Sequence, residues 1–148
     1  MLLSFLVHNP VAAILLWGAV YASDYYLTLY GARLFRSGPH EHLAFEGSYE
    51  LTAYFQEDVD LLRRVSTRFV LALAFSAVVL FGVWLIGVRA LRVEWPLAFL
   101  VGALVLREAA VHLRHIRNIV MFRMARQPGA LAGKLTYPRW FLLRSSAF

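Results

Sequence analysis

FVLALAFSAVVLFGVWLIGVRAL, residues 69–91, carries no charge before Arg89 and decides the fold. A bilayer core is crossed by about 20 helical residues, so this stretch predicts a membrane-spanning helix. The rest of the chain agrees in composition: 60% of the 148 residues are hydrophobic, 16% are charged, and the mean hydropathy is +0.60. A soluble domain carries roughly a quarter charged residues, and a chain this apolar would expose large patches in water and aggregate.

On either side of this stretch lie two more candidates. Val11–Tyr30, VAAILLWGAVYASDYYLTLY, is interrupted by charge only at Asp24. Val20-Tyr21-Ala22 resembles a signal cleavage site, but a basic leader is missing and Pro10 divides the apolar stretch, so the segment is expected to be a retained span. The other begins WPLAFLVGALVL at Trp95 and meets Arg107 and Glu108 while its helical pattern continues. Pro96 suits a first helical turn, and one long helix is expected to about Met124.

The expected class is all-α: a polytopic transmembrane helical bundle in one membrane domain over 1–148, with spans at about 11–32, 69–91 and 95–124. Between the first two, Leu51, Phe55, Val59 and Leu62 recur at helical spacing, with Glu50, Glu57, Asp58, Asp60 and Arg64 on other faces. That pattern predicts an amphipathic interfacial helix at about 49–66. Ser37-Gly38-Pro39 should end the first helix and Gln127-Pro128-Gly129 the third. Residues 135–148, LTYPRWFLLRSSAF, are too short and too charged to span; they read as an interfacial segment or an incomplete span.

The net charge of +6 is unevenly placed. From Arg107 onward there are eight basic residues and one acid, and before it seven basic residues and eight acids. The basic region is expected to meet anionic lipid at the inner leaflet rather than nucleic acid. Arg33, Arg36, Arg63, Arg64 and Arg68 crowd the 31–68 connection, whereas 89–95 holds only Arg89 and Arg92. By the positive-inside rule the N-terminus lies outside and the C-terminus in the cytoplasm, in an inner (plasma) membrane.

The polar groups inside the spans carry the functional question. An aspartate near the centre of a span costs about 2.5–3.5 kcal/mol on insertion scales, so Asp24 should face protein or water. It shares a helical face with Trp17, Tyr21, Thr28 and Gly31. Asp24 either pairs with an arginine and fixes the bundle or serves an ion, a proton or a solute. On the third helix Glu108, His112 and His115 fall within an arc of roughly 60°. A carboxylate and two imidazoles suit a divalent metal, with a fourth ligand from Asp24, His40 or His42. The two histidines could instead face lipid headgroups. Val11 to Asp24 and Trp95 to Glu108 are both thirteen residues, which puts the two carboxyls about 20 Å below the outer edge, where they could share Arg107, a proton or a cation. The chain has no cysteine, which excludes disulfides, thiolate sites and Cys nucleophiles. Gly-rich phosphate loops, G-x-S-x-G and H-E-x-x-H are also missing.

Asp24-Tyr25-Tyr26-Leu27-Thr28, then Glu50-Leu51-Thr52, and the stretch His112-Leu113-Arg114-His115-Ile116-Arg117-Asn118 resemble small prokaryotic integral membrane proteins of unknown function. The proline that often follows the Glu in such proteins is missing here. The resemblance implies a membrane fold and no activity.

Together these readings lead to a small membrane protein that handles an ion or solute at Asp24, Thr28, Arg107 and Glu108, as a homo-oligomer because three spans are few for a conduit. A metal-dependent membrane enzyme acting on lipid or another apolar substrate, and a scaffold without a site, are the alternatives. Orientation is directly testable. In intact cells a Ser4→Cys chain should react with a membrane-impermeant thiol reagent and a Ser37→Cys chain should resist it; the reverse pattern would invert the topology.

Overall fold

The computed structural model describes residues 2–46, 52–127, 129, 132–138 and 140. The described residues are mostly helical (76%), in keeping with the all-α class. Helix α1, Leu2–His8, leads into α2, Pro10–Arg36. Asn9 restarts the helix: its Oδ1 accepts the Ala12 N–H at 3.1 Å, and Pro10 takes the first helical position, where its missing N–H has no partner to lose. Gly38 follows α2 at φ 145°, a conformation open to glycine, and the chain turns through Pro39–Glu41 into strand β1, Leu43–Phe45.

Helix α4, Thr67–Val83, continues without a break as a π-helix, Trp84–Ala90. The Leu91 N–H there reaches the carbonyl of Ile86, five residues back, at 2.9 Å. Helix α5 spans Trp95–Ala125, and β2, Leu135–Tyr137, pairs in parallel with β1, Leu43 opposite Leu135.

Two helices are long and apolar enough to cross a membrane. Thr67–Ala90 has a mean hydropathy of 2.7 with only 6% of its most apolar window buried, and Trp95–Ala125 has 1.6 with 17% buried. At 27 residues α2 has the length, and its apolar run carries Asp24 and the tyrosines at 21, 25, 26 and 30.

The chain divides into two compact units, 1–25 with 67–111 and 26–66 with 112–148. In the first unit α1, α2, α4 and α5 meet in a core of Leu6, Ala13, Trp17, Leu80, Leu97 and Val101. Trp17 stacks on Tyr21 at 5.3 Å, and Tyr21 and Tyr25 stack on Phe69 at 5.2 and 4.6 Å, so α4 runs antiparallel to α2. The indole N–H of Trp17 donates to Ser76 Oγ at 2.7 Å, which satisfies a polar atom too deep to reach water.

In the second unit Leu34, Leu43 and Phe122 form the core, with Phe35, Ile119, Met121 and Tyr137 against it. Arg123 donates to the Tyr30 hydroxyl at 2.8 Å, and Arg36 to the Asp60 carbonyl at 2.6 Å.

Here the structure departs from two expectations. The amphipathic helix of 49–66 shortens to α3, Gln56–Asp60, with turns before and after it; residues 47–51 lie outside the described ones. Asp58 is the physical reason. Its buried carboxylate accepts from Ser66 Oγ and from Arg63 Nη1 (2.8 Å), and its carbonyl accepts the Arg63 N–H at 2.9 Å, so the chain folds back and Leu62 takes φ 50°. Local side-chain bonds of this kind compete with helix propagation. Val59 is still fully buried, so the apolar face was read correctly at that position. The other departure lies in 135–148. Its first three residues are a strand, with the Leu135 N–H bonded to the His42 carbonyl at 2.8 Å; Pro138 and Trp140 are described and the others are not.

Asp58 is 1% exposed and Asp60 is about half exposed. Asp58→Ala should therefore destabilise the chain in detergent by about 1–3 kcal/mol, because Ser66 and Arg63 lose their acceptor. Asp60→Ala should stay within about 0.5 kcal/mol. Reversible denaturant unfolding followed by circular dichroism would measure both.

Candidate metal centre

On α2 the stripe Trp17, Tyr21, Asp24, Thr28 and Gly31 faces protein. Trp17, Thr28 and Gly31 are buried and Tyr21 and Asp24 half-buried, while Val11, Leu15 and Tyr26 face outward. Glycine and a hydroxyl on the inner face let a second helix come close. That helix is α5, which turns Glu108 and His115 inward at 1% and 7% exposure and leaves Leu106, Leu113, Ile116 and Val120 exposed. The two helices run in the same direction: Ala13 and Trp17 share a core with Leu97 and Val101, and further along Thr28 meets His115.

Glu108 is the centre of the polar cluster. Arg107, with its side chain two-thirds exposed, reaches over and donates from Nη1 to Glu108 Oε1 at 2.7 Å. The Asp24 carboxylate on α2 lies within 4.8 Å of the Glu108 carboxylate, and so does the imidazole of His112, one turn on along α5. The equal thirteen-residue offsets from the span starts had pointed to this meeting of Asp24 and Glu108.

The other expected ligands fall elsewhere. His115 shares a hydrogen bond of 3.2 Å with Thr28 Oγ1. A common helical face does not mean a common height. Seven residues separate Glu108 and His115, about 10.5 Å of rise, whereas the four to His112 rise only about 6 Å, a gap side chains can close. The ring of His40 packs edge-on against Phe35 at 6.3 Å, and His42 Nδ1 donates to the Gly133 carbonyl at 3.0 Å. Of the expected ligands, Asp24, Glu108 and His112 come together and His115 lies against Thr28.

Two carboxylates and an imidazole make a hard-to-borderline donor set, suited to zinc, manganese or iron(II). Ligand atoms bound at about 2.1 Å stand roughly 3–4 Å from one another, so groups within 4.8 Å close on an ion by small side-chain rotations. The sequence spacing on α5 alone was too short to name this set, because one of its members comes from a helix more than eighty positions away.

The Arg107 pair sets a stability expectation. Truncating the exposed cation leaves a buried carboxylate without its guanidinium, which is costlier than losing a surface charge. Arg107→Gln should lower the melting temperature clearly more than Arg117→Gln, an exposed arginine three turns further along α5. Equal effects would show that the pair contributes nothing. No family model, no curated protein and no solved structure matches the chain, so its geometry carries the functional reading.

Proposed function

We propose that this chain is a multi-pass membrane protein that handles a divalent transition-metal ion at Asp24, Glu108 and His112. The observation that carries the reading is the convergence of these three ligand groups within 4.8 Å, with Glu108 only 1% exposed. Acids this deep in an apolar segment mark ion or proton sites by default.

Support for the membrane comes from α4. The most apolar helix of the chain is its least covered, with Val70, Leu71, Phe75 and Val78 exposed, the opposite of a soluble core helix. The α2 helix completes three spans in this reading: its polar stripe faces protein and its outward side is apolar and aromatic. Charge bias places the N-terminus outside and the basic region after Arg107 at the cytoplasmic leaflet. A homo-oligomer would supply the remaining wall of a conduit, and Gly82 and Gly102, with no atom within 4 Å of where a Cβ would sit, leave room for a close helix.

The ion pair of Arg107 and Glu108 favours a second reading, a scaffold in which these charges only fix helix register.

Metal binding separates the two. Purified chain dialysed against zinc, manganese or iron(II) should retain close to one ion per chain. Asp24→Asn, Glu108→Gln and His112→Ala should each weaken binding by roughly tenfold or more, while His115→Ala leaves it largely intact. Proteoliposomes containing the wild-type chain should take up the same ion, and the three variants should not. Metal content far below one per chain and unchanged by His112→Ala would leave the scaffold reading.

A further inference from the structure

The π-helix and the turn after it frame a second polar place, unrelated to the acids on α5. Glu94 precedes that helix, and fourteen residues, about 21 Å of rise, separate it from Glu108. A cleft of about 250 Å³ opens here, lined by His8, Trp84, Val88, Arg89, Arg92 and Glu94.

Four independent features meet in it. Its floor is a π-helix, a rare geometry found most often at functional sites. Arg92 is held at φ 58°, a left-handed conformation that a long side chain adopts only when its surroundings impose it. The indole Nε1 of Trp84 is buried and has no hydrogen-bond partner among the described residues. The guanidinium of Arg89 lies 6.0 Å from the Trp84 ring centroid, and neither it nor that of Arg92 has a carboxylate partner among the described residues.

The one acid of the cleft is already engaged. Glu94 Oε1 is 3.2 Å from His8 Nε2, and His8 Nδ1 donates to the Ser4 carbonyl at 2.8 Å. Glu94 thus faces His8 rather than an arginine, and the guanidinium groups of Arg89 and Arg92 remain for a ligand. Gly87 keeps the turn tight: its carbonyl accepts the Val93 N–H at 2.9 Å, and a Cβ there would stand 3.2 Å from the Val93 oxygen. Arg89 and Arg92 are thereby held three residues apart at one mouth.

We propose that this cleft binds a phosphate group between Arg89 and Arg92, from a phospholipid headgroup or from free phosphate. Guanidinium presents paired N–H donors that match phosphate oxygens, and an apolar wall of Trp84 and Val88 suits the organic part of a phosphate ester. The position between two apolar helices is where headgroup phosphates lie if both cross a bilayer. The site does not depend on the metal reading, and loss of either leaves the other standing.

The test uses the full-length chain in detergent, with two probes. Inorganic phosphate is titrated calorimetrically, and fluorescent phosphatidylglycerol is titrated in mixed micelles with phosphatidylcholine as competitor. The wild-type chain should bind at least one probe saturably, and Arg89→Gln with Arg92→Gln should weaken it about tenfold or more, since two charge-assisted contacts are lost. Arg126→Gln, remote in sequence and exposed, should leave it unchanged. Binding of both probes assigns free phosphate as a sufficient ligand; binding of phosphatidylglycerol alone assigns the headgroup. Arg92→Gly guards against a folding artefact: glycine relieves the left-handed strain, so its melting temperature should equal or exceed the wild type while phosphate binding weakens. Binding that survives the double substitution, or no saturable binding of either probe, would overturn the site.

Discussion

A carboxylate that is 1% exposed has to be answered by its surroundings, and the Glu108 environment organises much of this protein. Arg107 supplies a cation from the preceding position, and α2 contributes Asp24 on the facing side. For Asp24 and Glu108 to meet, α2 and α5 must run in the same direction at matched height. Parallel neighbours cannot be joined by a short turn, so the chain needs a crossing element between them, and α4 is that element. It returns antiparallel, anchored by the stack of Trp17, Tyr21, Tyr25 and Phe69 and by the Trp17–Ser76 hydrogen bond. With the polar groups already placed on α2 and α5, α4 is free to be almost wholly apolar on its outer side.

The second unit follows a different logic. Its elements are short, and polar side chains rather than apolar area set where they begin and end. Asp58 draws Ser66 and Arg63 back toward α3, and Arg36 at the end of α2 holds the Asp60 carbonyl. The parallel pairing of Leu43–Phe45 with Leu135–Tyr137 ties the segment after α2 to the segment after α5. That pairing repeats at strand level the parallel relation of the two helices that feed it. Tyr137 adds to the core of Leu34, Leu43 and Phe122, so the small sheet is packed as well as hydrogen-bonded.

The turn between α4 and α5 combines two kinds of irregular backbone. The left-handed Arg92 that follows the π-helix raises the local energy by on the order of 1–3 kcal/mol. Gly87 is what makes the tight return possible, because its carbonyl receives the Val93 N–H at a point where a side chain would crowd the backbone. The strain and the unengaged guanidinium groups coincide in the same nine residues, 84–92.

From its residues alone the chain determined its class and its long elements. The uncharged run from Phe69 to Val88 favours a helix by length and composition, and Asn9-Pro10, Ser37-Gly38-Pro39 and Trp95-Pro96 mark helix ends by local chemistry that no partner is needed to read. The meeting of Asp24 and Glu108 was legible too, as an equal count from two span starts. Tertiary structure decided the rest. His112 rather than His115 joins the acids, because a helical wheel shows the face and discards the 10.5 Å of rise that separates His115 from Glu108. Helix α3 stops early because Asp58 spends its hydrogen-bonding capacity on Ser66 and Arg63, and a carboxylate's choice of partner is not written in periodicity. Strands of three residues have no period to detect; β1 and β2 exist only because each supplies the backbone groups that the other lacks.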